Sequence, residues 1–254
     1  MSRKRVISVV RKEVREFRRN RFVIGTMAVL PFIFLITPMI TIFRIPESAS
    51  GTQLKAAVGV ISLLLLIIPI VIPPVIAAYS VVGERDQGTL EPVLTAPVRA
   101  SELLLGKAVA AFLPSVAIAY AIYIVVLISV HFAAAHVVSS VVFHPPQLLA
   151  QILYTPLLAL WSIWIGIGIS TRASDVRVAQ QLATVASLPL LGFTSLLSFQ
   201  LIKPSVPLAI GLAVALLAAD IAAWRIVSRL FDRERLVTGQ KTRTTRSSNS
   251  RLAS

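Results

Sequence analysis

Apolar stretches long enough to cross a lipid bilayer recur along the whole of this 254-residue chain. A membrane-spanning helix needs about 20 mostly apolar residues, because a helix rises about 1.5 Å per residue and the hydrocarbon core is ~30 Å thick. We predict six spans, at residues 22–43, 56–82, 103–130, 148–170, 179–202 and 208–227. Hydrophobic residues make up 56 % of the chain, against about 45–50 % in soluble proteins. The sequence therefore predicts an all-α integral membrane protein, with a six-span domain over residues 22–230.

The distribution of the 25 basic residues predicts how the spans are oriented. Nine lie in residues 1–21, three in 83–107, two in 171–178 and eight from Arg225 onward. Loops rich in Lys and Arg stay on the cytoplasmic side of a membrane. Both termini and the loops after the second and fourth spans are therefore predicted to be cytoplasmic. The membrane surface accounts for the net charge of +14, so nucleic acid is not the expected partner.

Two further segments flank the predicted spans. Residues 1–21 are predicted to form an amphipathic helix that lies in the headgroup layer, with basic side chains opposite an apolar stripe. The stripe recurs at intervals of three and four residues and consists of Ile7, Val10, Val14 and Phe17. Residues 231–254 are rich in Ser, Thr and Arg. They have almost nothing to bury and are predicted to be a disordered cytoplasmic tail that is weakly attracted to anionic lipid.

A polar segment at residues 83–102 separates the second span from the third. Within it, Gly88 can end one helix and Thr89 can cap the next, with Glu91 in the first turn, where the helix dipole favours an acid. Pro97 stops this element about a turn later. We therefore predict a short helix over residues 90–94, held crosswise between two spans. The second cytoplasmic loop carries Asp175 and Arg177. It is predicted as a second place where a partner could contact the cytoplasmic side of the protein.

Several kinds of chemistry are missing from the sequence. The chain has no cysteine, and His131, His136 and His144 in the predicted external loop at residues 131–147 match no metal-ligand spacing. The glycines at 83 and 88 have the spacing of a phosphate-binding loop, but the required Lys and Ser/Thr do not follow. No catalytic residues, metal site or cofactor site are predicted, and energy for transport must come from another chain or from an ion gradient.

Some residues inside the spans leave two interpretations open. Asp220 in the sixth span fits a proton or cation site, but pairing with an interfacial base such as Arg225 explains it as well. Trp161 and Trp164 in the fourth span fit either a path for an apolar substrate or simple packing.

Residues 84–107, ERDQGTLEPVLTAPVRASELLLGK, resemble the signature of the ABC-2 type transporter permease family. In that family an acid is followed by GTLE, a hydrophobic pair, TPV and an E-L-x-x-G-K run into the third span. The matching residues are Glu84, Gly88, Thr89, Leu90, Glu91, Leu94, Pro97, Val98, Glu102, Gly106 and Lys107. Ala96 departs from the pattern, since Thr is frequent there.

The resemblance implies the membrane subunit of an ATP-driven exporter in the cell membrane. Two such subunits, identical or different, would form the pathway, and each would receive a separate cytoplasmic ATP-binding subunit that holds ATP and Mg. Coupling to that subunit is expected of Glu84, Arg85, Gly88, Thr89, Leu90, Glu91, Val93, Leu94 and Pro97. Arg99 and Lys107 could pair with charges of the partner or of the loop, and the alternative for each is a solvated side chain or a local partner.

Two questions of function stay open on the sequence. The short external loops favour an amphiphilic small molecule, such as a drug, an antibiotic or a lipid, as the substrate. The alternative function is an ion-gradient-driven transporter or channel that acts alone and uses Asp220.

Overall fold

The computed structural model describes residues 3–86, 100–134, 136–173, 175–199, 201–202 and 205–230. These residues form eight α-helices and no strand. The helices are α1 (Arg3–Arg19), α2 (Arg21–Arg44), α3 (Gly51–Asp86), α4 (Ala100–Ala133), α5 (His136–Val142), α6 (Pro145–Ser170), α7 (Val176–Ser198) and α8 (Val206–Leu230). Six of them, α2, α3, α4, α6, α7 and α8, are long and apolar enough to cross a membrane. The predicted all-α, six-span fold class is thereby confirmed, and the chain is a multi-pass membrane protein.

The helix boundaries differ from the predicted spans in several places. α3 begins at Gly51 and ends at Asp86, although the predicted span covered only 56–82. α7 ends at Ser198, before the predicted end of the fifth span at residue 202. The loop predicted at 131–147 is wrong, because most of it is helical and includes α5. The short helix predicted over 90–94 and the tail predicted over 231–254 lie outside the described residues.

α3 is the central helix of the bundle. It packs against α2, α4, α6 and α7, and it is the most deeply buried of the six long helices. Ile68 and Ile72 face the main core, whereas Ile70 packs against Tyr154 and Leu158 of α6. A helix that is apolar on every side is typical of a buried position. The sequence of α3 therefore suits its place between the others.

The surrounding helices present apolar side chains to the outside. Phe32 and Ile36 of α2 are 65 % and 56 % exposed, and Val214 and Ile221 of α8 are also exposed. Exposed apolar faces of this extent are rare in soluble proteins, but hydrocarbon solvates them readily.

The N-terminal helix α1 packs on the bundle with a side that overlaps only partly with the predicted apolar stripe. Val9, Glu13 and Phe17 face the bundle, mainly against α4. Ile7 and Val14 of the predicted stripe are 40 % and 36 % exposed, so only part of the stripe is covered. α1 thus has one apolar side against the protein and another that is left outside. The position of this second side in a membrane surface stays a prediction.

Helices α3 and α6 approach each other closely where Gly166 lies against Pro74. A Cβ atom added to Gly166 would lie 2.9 Å from the Cα atom and from the carbonyl oxygen of Pro74. Backbone atoms cannot move aside as the end of a flexible side chain can. The two helices therefore require glycine at this point.

We expect Gly166→Val to separate α3 from α6 and to lower the free energy of unfolding by about 1–3 kcal/mol, the usual cost of overpacking. Unfolding of the detergent-solubilised protein by SDS, followed by circular dichroism, measures this loss. Gly211→Val in α8 is the matched control, because nothing lies within 4 Å of a Cβ atom at Gly211. Equal losses in the two variants would contradict the close-packing argument.

Candidate functional site

A buried lysine joins three helices at the end of the bundle where α3 ends and α4 begins. Lys107 of α4 is fully buried, and its Nζ donates a hydrogen bond of 2.7 Å to Glu13 Oε1 of α1. The same ammonium group donates to the backbone carbonyl of Ser80 in α3. We call Glu13, Ser80 and Lys107 the basal cluster, and this end of the bundle the basal end. A buried charge is tolerated only when it is paired and hydrogen-bonded, as it is here.

Two further contacts hold α1 against the first turns of α4. Arg5 lies 3.6 Å from the carboxylate of Glu102, which is 1 % exposed. A Cβ atom added to Gly106 would lie 2.5 Å from Cγ1 of Val9, so a larger residue would push α1 away. Glu102, Gly106 and Lys107, which carry the end of the family-like signature, therefore all face α1. Among the described residues, Lys107 is bonded to Glu13 and to Ser80, and its pairing with a partner subunit or with the loop stays a prediction.

The predicted coupling residues lie next to the basal cluster along the chain. Glu84 and Arg85 belong to the last turn of α3. The other predicted coupling residues lie outside the described residues, and they are Gly88, Thr89, Leu90, Glu91, Val93, Leu94 and Pro97. The structure describes the helices on either side of these residues. α3 ends at Asp86, α4 begins at Ala100, and both helices contribute to the basal cluster.

The loop between α6 and α7 lies at the same end. Asp175 caps α7, and its side chain accepts a hydrogen bond of 2.6 Å from the backbone N–H of Arg177. Both side chains remain exposed. Ala173 and Ala179 on either side pack against Ala78 and Val82 of α3. Capping accounts for Asp175 structurally, and its exposed carboxylate and the Arg177 side chain are still accessible to a second protein.

Asp220 lies apart from the basal cluster, on the buried face of α8. It is 4 % exposed, and neither carboxylate oxygen has a hydrogen-bond partner among the described residues. An ion pair with Arg225 is not formed within that part of the chain. One turn further on, Trp224 meets Trp164 edge to face, with ring centroids 5.1 Å apart. Trp164 is therefore a packing residue, whereas the carboxylate of Asp220 is still unexplained by packing.

Glu13 is the residue of the site that the sequence prediction missed. It follows Val9 by four residues and precedes Phe17 by four, so an acid occupies the middle of a buried stripe. A helix with few acids that places one among apolar neighbours signals a buried partner. The described residues contain no group of three or more His, Asp or Glu side chains that could hold a metal ion.

Comparison with known proteins gives one result that covers most of the chain. The family model described as "ABC-2 family transporter protein" matches residues 7–223. No curated protein matches the chain. The matched region includes α2, α3, α4 and α6, the basal cluster, Asp175 and Asp220.

We expect Lys107→Met and Glu13→Leu each to lower the free energy of unfolding by about 3–5 kcal/mol, because each removes the hydrogen-bonded counter-charge of the other buried side chain. The double variant should lose less than the sum, since it buries neither charge. SDS unfolding followed by circular dichroism provides the comparison. Glu16→Leu is the control, since among the described residues Glu16 pairs with the exposed Lys12 on the surface of the same helix, at 3.3 Å. Strictly additive losses would rule out a direct pair.

Proposed function

Because the chain belongs to the ABC-2 family of transporter proteins, we propose that it is the permease subunit of an exporter that moves an amphiphilic small molecule across the cell membrane. The chain is a membrane component of an ABC transporter, a class that is generally non-catalytic. Permeases of this family generally pair with ATP-binding cassette subunits. In our proposal a separate subunit supplies ATP and Mg, and two permease subunits, identical or different, enclose the pathway.

The observation that carries this proposal is the basal cluster. It ties α1, α3 and α4 together on both sides of residues 87–99. A force applied to this segment therefore acts on helices that are already joined at their ends. In the proposal the basal end is cytoplasmic, residues 89–94 lie in a groove of the ATP-binding subunit, and closure of that subunit tilts α3 and α4 as rigid bodies.

The contacts with the ATP-binding subunit extend over two loops in this proposal. Glu84 and Arg85 continue the contact of residues 89–94 onto the end of α3. The exposed side chains of Asp175 and Arg177 form a second contact, and the packing of Ala173 on α3 brings their loop to the same end of the bundle. Two contacts are better suited than one to transmit a tilt, because a single contact leaves the subunits free to swivel.

A second candidate function is an ion-gradient-driven transporter or channel that uses Asp220. The observation in its favour is the buried carboxylate without a described partner. An ionisable group within a membrane-spanning helix is expensive and is usually functional or paired. Asp220 is one group on one helix, however, and proton or cation relays generally need several. We therefore place this function second.

The coupling proposal makes a direct prediction for residues 89–94. Leu90→Asp and Glu91→Arg should reduce co-purification of the ATP-binding subunit and abolish export, while membrane insertion stays normal. Glu47→Arg reverses the same charge at an exposed position in the loop between α2 and α3, and it should leave both properties unchanged. The two measurements are uptake of the exported compound into inside-out vesicles, where the cytoplasmic side faces outward, and capture of the ATP-binding subunit. Unchanged capture and export in both loop variants would contradict the assignment.

The two candidate functions differ in what they require of Asp220. If the exporter proposal holds, Asp220→Asn should preserve ATP-dependent transport, because the amide keeps the shape of the side chain and removes only its charge. Glu47→Gln, which likewise replaces a carboxylate by an amide but at an exposed position between α2 and α3, is the control. Loss of transport in Asp220→Asn alone, together with failure to capture any ATP-binding subunit, would favour the ion-coupled function.

A further inference from the structure

A cavity with a mixed polar and apolar lining lies at the end of the bundle opposite the basal end. It lies between α3, α6, α7 and α8, has a volume of about 40 Å³, which is room for a small polar head group, and is open on one side. Its wall includes Ser62, Leu66, Gln147, Gln151, Leu197 and Ser198. We propose that this polar cavity binds an uncharged amphiphile, whose hydroxyl, amide or carbonyl head meets the polar side chains while its hydrocarbon part lies along the leucines.

Ser198 has a hydroxyl group that the protein leaves without a partner. The side chain is 2 % exposed, and its Oγ forms no hydrogen bond with the described residues. Other hydroxyls of α7 behave differently, since each donates to a backbone carbonyl three or four residues earlier in the helix. These are Thr184, Ser187, Thr194 and Ser195. A buried polar group without a partner is costly, so a ligand that pairs with Ser198 gains the bond that the fold does not supply.

The wall around Ser198 is held in place by a close helix contact. A Cβ atom added to Gly59 of α3 would lie 2.6 Å from the ring of Phe199 and 3.1 Å from the carbonyl oxygen of Ser198. On the facing side, Gln147 Nε2 donates a hydrogen bond of 2.6 Å to Ser62 Oγ. That hydroxyl still has its own hydrogen to donate. The polar groups are therefore fixed before any ligand arrives, which lowers the entropic cost of binding.

The charge of the lining selects the class of ligand. None of the described residues that line the cavity is Asp, Glu, Lys, Arg or His. A charged head would meet no counter-charge among the described lining residues, which is strongly unfavourable. Leu66, Leu197 and Leu208 supply apolar contact for a hydrocarbon chain. The described part of the lining therefore fits a neutral head on an apolar body better than an anionic phospholipid.

Two sources could supply such a ligand, namely the transported substrate and a neutral lipid of the membrane. The identification of the ligand as substrate rests on the proposed function, whereas the binding site itself does not. For this reason binding is measured first on the full-length permease without any ATP-binding subunit.

The probe is a diacylglycerol with a photoreactive diazirine on one acyl chain, offered to the protein in lipid nanodiscs. Its phosphatidic acid counterpart with identical chains is the charged comparison. After illumination, mass spectrometry should locate the diacylglycerol label within residues 146–154 and 197–209. Labelling by the phosphatidic acid probe should be about tenfold weaker, because its charge has no partner there. Equal labelling by both probes, or a label spread along the outer faces of α2 and α8, would overturn the proposal.

Variants on the cavity wall test the same site. Ser198→Ala should weaken diacylglycerol labelling roughly three- to tenfold, as expected for one lost hydrogen bond. Ser195→Ala, on the same helix but with a hydroxyl bonded to Gly192, should have no effect. Ala150→Phe should abolish labelling by filling the cavity, whereas Ala121→Phe at an exposed position of α4 should not. Undiminished labelling in both Ser198→Ala and Ala150→Phe would also overturn the proposal.

A smaller substitution at Ala150 and a labelling experiment with ATP complete the test. If Ala150→Phe does not elute as a folded protein, the smaller Ala150→Leu replaces it and should reduce labelling in part. If an ATP-binding subunit is captured, labelling is repeated with ATP. A fall in labelling during turnover identifies a transported ligand, and unchanged labelling identifies a resident lipid. Both results support the site, and a failure to find any ATP-binding subunit affects only the proposed function.

Discussion

Polar groups inside this bundle must be satisfied by the protein itself, because hydrocarbon offers them no hydrogen bonds. Most hydroxyls meet this requirement locally, as when Ser115 donates to the carbonyl of Ala111 and Ser187 to that of Ala183. Lys107 has a long, charged side chain that reaches past the carbonyl groups of its own helix. Its partners among the described residues come from two other helices. Asp220, Ser162, Ser198 and the amide nitrogen of Gln180 are exceptions, since the described residues offer none of them a partner.

The same requirement explains why an ion pair, and not apolar packing alone, fixes α1. This helix has a buried apolar side and a second apolar side that includes Ile7 and Val14. Apolar contacts are non-directional, so they would allow the helix to roll from one side to the other. The pair between Glu13 and Lys107 is directional and is formed at one rotation only. A buried ion pair adds little to stability compared with apolar residues, but here it gives α1 a defined orientation beside the predicted coupling segment.

The sequence predicted the number, order and type of the six long helices because the length and hydropathy of a span follow directly from the thickness of the bilayer. It did not predict where α3 begins, since a helix continues into polar residues as long as its backbone bonds are made. Glu13 was not predicted to be buried, because the apolar stripe of the sequence includes Phe17 but not Val9, and so does not define the side of α1 that faces the bundle. The polar cavity could not be predicted, since its wall comes from four helices that meet only in the folded bundle.

The central helix connects the two regions to which functions are assigned. Ser80 at the basal cluster and Ser62 at the cavity wall are both on α3, and at about 1.5 Å per residue they are separated by roughly 27 Å. A rod of this length that tilts by ~10° about its base displaces its far end by ~5 Å. The displacement reaches the cavity only if α3 stays straight, yet it contains three prolines, which remove backbone hydrogen bonds. The close packing of Gly166 on Pro74 braces the helix at this weak stretch. Transmission from the basal end to the cavity therefore depends on α6 as much as on α3.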